Sequence, residues 1–246
     1  MVKRWQVESF AVVLRRLAHV VRKPLRIVDF GCGTGTLLLP LAHMFQHCSF
    51  VGVEMKPAAV ALLQERARAA GLANVRAVRC MIEEYVHEPF DVCLALHACG
   101  NATDAAMLLA VKRRAAYVVS PCCVGKLKFS LAGGSSFSPS QATYTPHMPG
   151  ERPVADQNHS SGTTGPAADR KDGGTAVASA AARMCKEHIE LDRNLAAEEE
   201  GYRTGLLKCF QWEAMAKNDL LVGVPAERSE WAGLVEALHG SGGSMA

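Results

Sequence analysis

Between Leu25 and Ser120, short apolar runs alternate with helical patterns, and this alternation leaves the chain few folds. The apolar runs are Leu25–Phe30, Ser49–Val53, Asn74–Arg79, Phe90–Leu96 and Ala115–Ser120. Helical patterns occupy Thr36–Phe45, Pro57–Ala70 and Ala102–Arg113. Pro57 suits a first helical turn and Gly71 a helix C-cap. The runs lack strict polar–apolar alternation, which predicts strands of a parallel sheet covered on both faces. Right-handed crossovers then impose a doubly wound arrangement.

After Phe129 the pattern breaks. Residues 131–182 are rich in Gly, Ser, Pro, Ala and Thr. Such a stretch buries too little apolar surface to offset the entropy of ordering, so it is expected to be a disordered insertion. Order resumes with a helix at Arg183–Glu200, followed by two strands, Tyr202–Phe210 and Asp219–Val224. Two consecutive strands without a helix between them predict an antiparallel pair at one sheet edge. Glu227–Leu238 is expected to be a last helix. The fold class is therefore α/β: a doubly wound, mostly parallel seven-stranded sheet with an antiparallel edge pair. Its parts are a basic helix (1–24), a core (25–130), the insertion (131–182), the rest of the same domain (183–240) and a flexible tail (241–246).

The 246 residues are long enough to bury a core without staples. No run approaches 18 apolar residues, so no membrane span is expected. The net charge of +3 is too small for a protein that coats nucleic acid by bulk charge. That charge is uneven, however: residues 1–26 carry seven basic side chains and one acid, Glu8. An acid-poor, Arg-rich start fits either a mitochondrial leader or a first helix with a solvated basic face. The stripe Phe10, Val13, Leu14 and Leu17 favours the helix. The nine cysteines, odd in number and without a secretory signal, point to reduced thiols in an intracellular protein. The cytoplasm is the first expectation and the mitochondrion the alternative.

The sharpest local signal is the loop Asp29-Phe30-Gly31-Cys32-Gly33-Thr34-Gly35, which follows a strand and opens a helix. Glycines allow positive φ and close approach of backbone to a ligand. The spacing G-x-G-x-G differs from the G-x-G-x-x-G of dinucleotide folds. A second acid, Glu54, ends the next strand, about 20 residues after the loop, where a carboxylate can accept both hydroxyls of a ribose. An acid beside the glycines suits an ammonium group better than a pyrophosphate. Ribose plus amino acid describes S-adenosylmethionine.

With these residues the chain resembles the class I S-adenosylmethionine-dependent methyltransferases, over about 25–129 and 183–225. The resemblance implies a Rossmann-like fold in which Asp29, Gly31, Gly33 and Gly35 line the methionine part of the cofactor. It implies that Glu54 takes the ribose and Met55 flanks the adenine. Met81 and Ile82 would sandwich the ring or serve the core. Cys80 stands where the family usually has an acid near the adenine. Further stretches are similar to one subgroup: Lys3-Arg4-Trp5-Gln6, Leu96-His97-Ala98-Cys99-Gly100, Ser120-Pro121-Cys122-Cys123, Asp192-Arg193 and Lys217-Asn218. That subgroup includes the methyltransferase domain of glutathione S-transferase C-terminal domain-containing protein. More distantly it resembles the tRNA 2′-O-ribose methyltransferases.

The resemblance implies RNA as partner and a ribose oxygen as acceptor. His97, leaving the fourth strand at its carboxyl end, is then the candidate base; a structural histidine is the alternative. Asp104 could orient His97, but an acid in a first helical turn is favourable by itself. Lys126 and Lys128 could meet phosphate, as could the basic face of the first helix (Lys3, Arg4, Arg15, Arg16). Cys122 and Cys123 allow attack on a pyrimidine base or, with His97 and Cys99, a zinc site. No activating partner and no C-x-x-C pair supports either, and no metal is expected. Two other functions stay open: a binding or assembly module of a ribonucleoprotein without turnover, and a protein or small-molecule methyltransferase.

Overall fold

The computed structural model describes residues 2–21, 23–86, 88–98, 100–121, 174–209 and 218–240. Helix α1 (Val2–Val21) precedes strand β1 (Arg26–Phe30), and Pro24 lies between them. Then follow α2 (Leu38–Met44), β2 (Ser49–Val53), α3 (Pro57–Ala69) and β3 (Val75–Val78). Next come β4 (Val92–Leu96), α4 (Asn101–Lys112) and β5 (Ala116–Ser120). Helix α5 (Gly174–Glu199), β6 (Tyr202–Lys208), β7 (Asp219–Pro225), a 3₁₀ turn (Ser229–Trp231) and α6 (Leu234–Gly240) complete the order.

The seven strands lie in the order β3-β2-β1-β4-β5-β7-β6. Strands β1 to β5 pair in parallel. Strand β7 runs antiparallel to both β5 and β6, between which it is inserted. The sheet is thus the mostly parallel one expected, with an antiparallel pair at one edge. Strand order reverses about β1 and β4, so a crevice opens between their carboxyl ends, where ligands of such sheets bind.

Successive residues of one strand enter different cores, as a sheet covered on both faces requires. Ile27, Val92, Leu94, Ala116 and Val118 face one core with α1, α2 and α6. Val28, Cys93, Ala95, Tyr117 and Val119 face the other, with α4 and Ala197 of α5. In α1, Phe10, Val13, Leu14 and Leu17 are fully buried, so the apolar stripe builds this helix into the fold. Each such side chain stabilises by about 1.5–3 kcal/mol. Lys3, Arg4 and Arg15 stay exposed.

Three helix starts or breaks differ from expectation in ways that have a physical cause. Helix α2 begins at Leu38, not Thr36, because Gly35 (φ +85°) and the turn after it delay helical geometry. Helix α5 begins at Gly174, nine residues before Arg183 and inside the span expected to be disordered. The Ala-rich composition of 176–182 explains this, since Ala has the highest helix propensity. The last helix is split into a 3₁₀ turn and α6 by Gly233, whose φ of +78° a continuous helix cannot hold. The disorder expected for 131–173, and the tail 241–246, lie outside the described residues. Among the described residues no helix is long and apolar enough to cross a membrane, and the six described cysteines are all free.

Candidate functional site

The glycine loop is fastened to the tip of β2. The N–H groups of Gly31 and Cys32 both donate to the Val53 carbonyl, at 2.9 and 3.1 Å. Gly31 (φ +69°) and Gly33 (φ +54°) adopt the left-handed conformation that glycine supplies without steric cost. A Cβ at either position would have no heavy atom within 4 Å, so both border open space. Gly35 differs. A Cβ there would collide with the Leu63 side chain and lie 2.8 Å from Leu39 Cγ. Packing against Leu39 of α2 and Leu63 of α3 therefore requires glycine at this position, whatever the backbone of Gly35 faces.

Asp29, near the end of β1, is 1% exposed, and its Oδ2 has no hydrogen-bond partner. Burial raises its pKa well above the ordinary carboxylate range, and the neighbouring Glu54 charge raises it further. Glu54 is half-buried. Its Oε2 accepts the Gly33 N–H at 3.1 Å and its Oε1 the Lys56 N–H at 2.9 Å. Each oxygen so used keeps a lone pair for a further donor. The two acids therefore flank one loop and sense each other's charge.

Met55 is 59% exposed and Met81 49% exposed, beyond the ends of β2 and β3. An exposed Met81 is not a core residue, which removes the alternative role considered for it. Ile82 is half-buried and packs on the second core, beside Cys80. The Met81 N–H donates to Glu84 Oε2 at 3.2 Å, closing a tight turn after β3.

His97 lies just past the end of β4 and is exposed, with φ +61°. Its backbone N–H donates to the Ser120 carbonyl at 3.1 Å, joining the ends of β4 and β5. Gly100, the N-cap of α4, has φ +59° and ψ −129°. Asp104 sits in the first turn of α4 as expected. It also takes the Arg193 guanidinium of α5, Nε to Oδ1 at 2.6 Å. Arg114, just past the end of α4, pairs with Glu227, while its Nη1 donates to the Glu200 carbonyl at 2.7 Å. It serves the fold rather than a substrate. Cys99, Cys122, Cys123, Lys126, Lys128 and Lys217 lie outside the described residues. Among the described residues no group of three or more His, Cys, Asp and Glu is placed to hold a metal ion.

One charged cluster was not foreseen. Lys186 of α5 contacts Glu190 at 2.5 Å and also pairs with Asp219 at the start of β7. Lys208 contacts Asp219 at 2.5 Å and Glu187 at 3.1 Å. Glu190 is fully buried, and burial pushes its pKa up to about 7, opposed by Lys186 and assisted by Asp219. The i, i+4 spacing of Lys186 and Glu190 was a legible signal. Their link to Asp219 was not.

A seven-stranded sheet with strand seven reversed, an acid–glycine loop after strand one and an acid ending strand two together define a class I methyltransferase. A family model described as a methyltransferase domain matches residues 2–129, and the chain belongs to this family. The human glutathione S-transferase C-terminal domain-containing protein is 33% identical over 220 residues, 86% of this chain and 32% of that protein. The chain thus spans about a third of the length of that relative. The ubiquinone biosynthesis O-methyltransferase of Azorhizobium caulinodans is 37% identical over 117 residues, 45% of this chain and 44% of that protein. Among solved structures, magnesium protoporphyrin IX methyltransferase of Synechocystis with bound SAM is 16% identical, with a TM-score of 0.49. That match covers 91% of this chain and 80% of the other.

S-adenosylmethionine is the cofactor of this class, and the residues present fit it. The orphaned Asp29 Oδ2 suits an ammonium group, and the open space at Gly31 and Gly33 suits the methionine part. Glu54 offers carboxylate lone pairs to a ribose, and the exposed Met55 and Met81 offer apolar surface to a purine.

Proposed function

We propose that the chain binds S-adenosylmethionine at the crevice of β1 and β4 and transfers its methyl group to RNA, at a ribose oxygen. The observation that carries the cofactor half is the buried, unpartnered oxygen of Asp29 beside a glycine loop with open space at Gly31 and Gly33. A buried carboxylate without a partner costs stability, and a cationic ligand offsets that cost. The bound cofactor supplies an electrophilic methyl on a sulfonium. The residues of the chain position it and manage one proton. Asp29 would hold the ammonium group and Glu54 the ribose hydroxyls. His97 would take the proton of the acceptor hydroxyl as that oxygen receives the methyl group.

The RNA half rests on the likeness to tRNA ribose methyltransferases around His97 and on the exposed basic residues of α1. A second reading has a specific support. The 117-residue likeness to a ubiquinone O-methyltransferase favours an oxygen acceptor on a small molecule. Mass spectrometry of RNA nucleosides from cells lacking the protein separates the two. A missing 2′-O-methyl nucleoside, restored by the wild type and not by His97→Ala, supports ribose methylation. An unchanged nucleoside profile overturns the RNA reading. Calorimetry with S-adenosylmethionine tests the cofactor half: absence of binding at millimolar concentration leaves only the assembly module.

A further inference from the structure

The loop between β4 and α4 is built from backbone shapes that do not hold themselves. It opens with His97 in the left-handed region (φ +61°) and closes with Gly100 at φ +59° and ψ −129°. A non-glycine residue in the left-handed region is strained and persists only where its surroundings over-determine it. Three contacts come from neighbours in the chain or the sheet. The His97 N–H donates to the Ser120 carbonyl, Thr103 Oγ1 donates to the Ala98 carbonyl, and the Thr103 N–H donates to the Gly100 carbonyl. A further brace arrives from α5. Arg193 reaches Asp104 through Nε at 2.6 Å and Nη2 at 3.3 Å, and the same Nη2 donates to the Gly100 carbonyl at 3.5 Å.

This brace is an expensive way to join two helices. The Arg193 side chain is 5% exposed, and its Nη1 is buried without a partner. Apolar side chains of similar volume would join α4 to α5 at equal or lower cost. A guanidinium offers what they lack, a rigid fork that fixes a carboxylate and a carbonyl at once. Both of its targets, Gly100 and Asp104, lie where the loop turns into α4.

We infer that Arg193 is a positioning residue: by gripping Gly100 and Asp104 from α5, it holds the β4–α4 loop in the form that presents His97 to the crevice. The functional part of this inference rests on the role proposed for His97; the loop geometry does not. The guanidinium acts through the loop and touches no reacting atom.

The test uses the full 246-residue chain, isotope-labelled, as wild type, Arg193→Gln, Arg193→Lys and Asp104→Asn. Relaxation dispersion at the amides of His97, Ala98 and Gly100 reads loop exchange, and the amides of Gly31 and Gly33 serve as the internal control. Arg193→Gln is expected to bring microsecond-to-millisecond exchange to the first set only. Cofactor affinity is expected to stay within about twofold, while methyl transfer falls roughly tenfold to a hundredfold. Arg193→Lys restores part of the loop order, because it keeps the charge and loses the fork. Asp104→Asn gives the same pattern more mildly and covers the case in which Arg193→Gln does not fold. Loss of thermal stability in either variant with unchanged loop amides overturns the inference and leaves Arg193 as a packing residue. A wild type that binds no S-adenosylmethionine defeats the proposed function instead, and the amide readout still decides the brace.

Discussion

The Glu54 carboxylate accepts the Gly33 N–H at 3.1 Å, so the acid at the tip of β2 also shapes the loop after β1. Its other oxygen holds the Lys56 N–H at the start of α3. One side chain thus fixes two backbone segments and, on the reading above, the ribose as well. Glu54→Ala is expected to weaken S-adenosylmethionine binding by roughly 100-fold, more than a single lost hydrogen bond of about 0.5–1.5 kcal/mol explains. Calorimetry reads the affinity. The amide shift of Gly33 reads whether the loop has moved without ligand.

Asp29 is expected to couple cofactor affinity to pH. Burial and Glu54 raise its pKa in the free protein, so it holds a proton more readily than an ordinary acid. An ammonium ligand favours the carboxylate and lowers that pKa. Affinity therefore rises with pH across the interval between the two values, and binding releases a proton. Calorimetry in buffers of different ionisation enthalpy detects that proton. Asp29→Asn abolishes the release, weakens binding and raises the melting temperature of the free protein at pH 8, because the fold no longer holds a carboxyl whose ionisation burial and Glu54 oppose.

The glycines of the loop separate by what borders them. Gly35→Ala drives a Cβ into Leu63 and Leu39 at a φ of +85° and is expected to cost roughly 2–4 kcal/mol of stability. Gly33→Ala meets open space and costs only the left-handed backbone, about 1–2 kcal/mol. Its new methyl group points into the region assigned to the ligand, so binding suffers more than folding. Thermal melts and calorimetry on the two variants, side by side, check the split.

Glu190 predicts a dependence of stability on pH. Its pKa is about 7 in the fold, against the ordinary glutamate value in the unfolded chain, so the folded state binds the extra proton between those values. Stability contributed by Glu190 is therefore greatest below the unfolded value and is lost as pH rises toward 7 and above. Asp219, whose pKa Lys186 and Lys208 lower against the effect of burial, acts in the opposite sense at more acidic pH. Glu190→Gln is expected to flatten the fall in melting temperature between pH 5 and 8 by roughly 3–6 °C. An unchanged slope in thermal melts refutes the assignment.

What the sequence made legible follows from distance along the chain. The strands β1 to β5, the glycine loop and Glu54 are local patterns, and each lies where its pattern places it. The apolar stripe of α1 reads directly as a buried face, because period and burial are the same information. Gly35 looked like its neighbours Gly31 and Gly33, and only the approach of Leu63, 28 residues on, sets it apart. Arg193 and Asp104 are 89 residues apart, and nothing in either segment announces the other. Asp219 is likewise an ordinary acid before a strand until α5 and β6 bring two lysines to it. The early start of α5 was missed for a different reason. Small residues lower hydropathy and imitate a linker, yet alanine is the best helix former.

The placement of β7 carries a consequence for how the polypeptide matures. The family match stops at residue 129, but the fully buried β5 has its outer neighbour only at Leu221–Gly223. A nascent chain that has emerged only through that boundary offers Tyr117–Val119 as a bare, sticky rim. The sheet closes when roughly the final tenth of the sequence threads back to seal it, and a fragment cut at the boundary is expected to self-associate rather than stand alone.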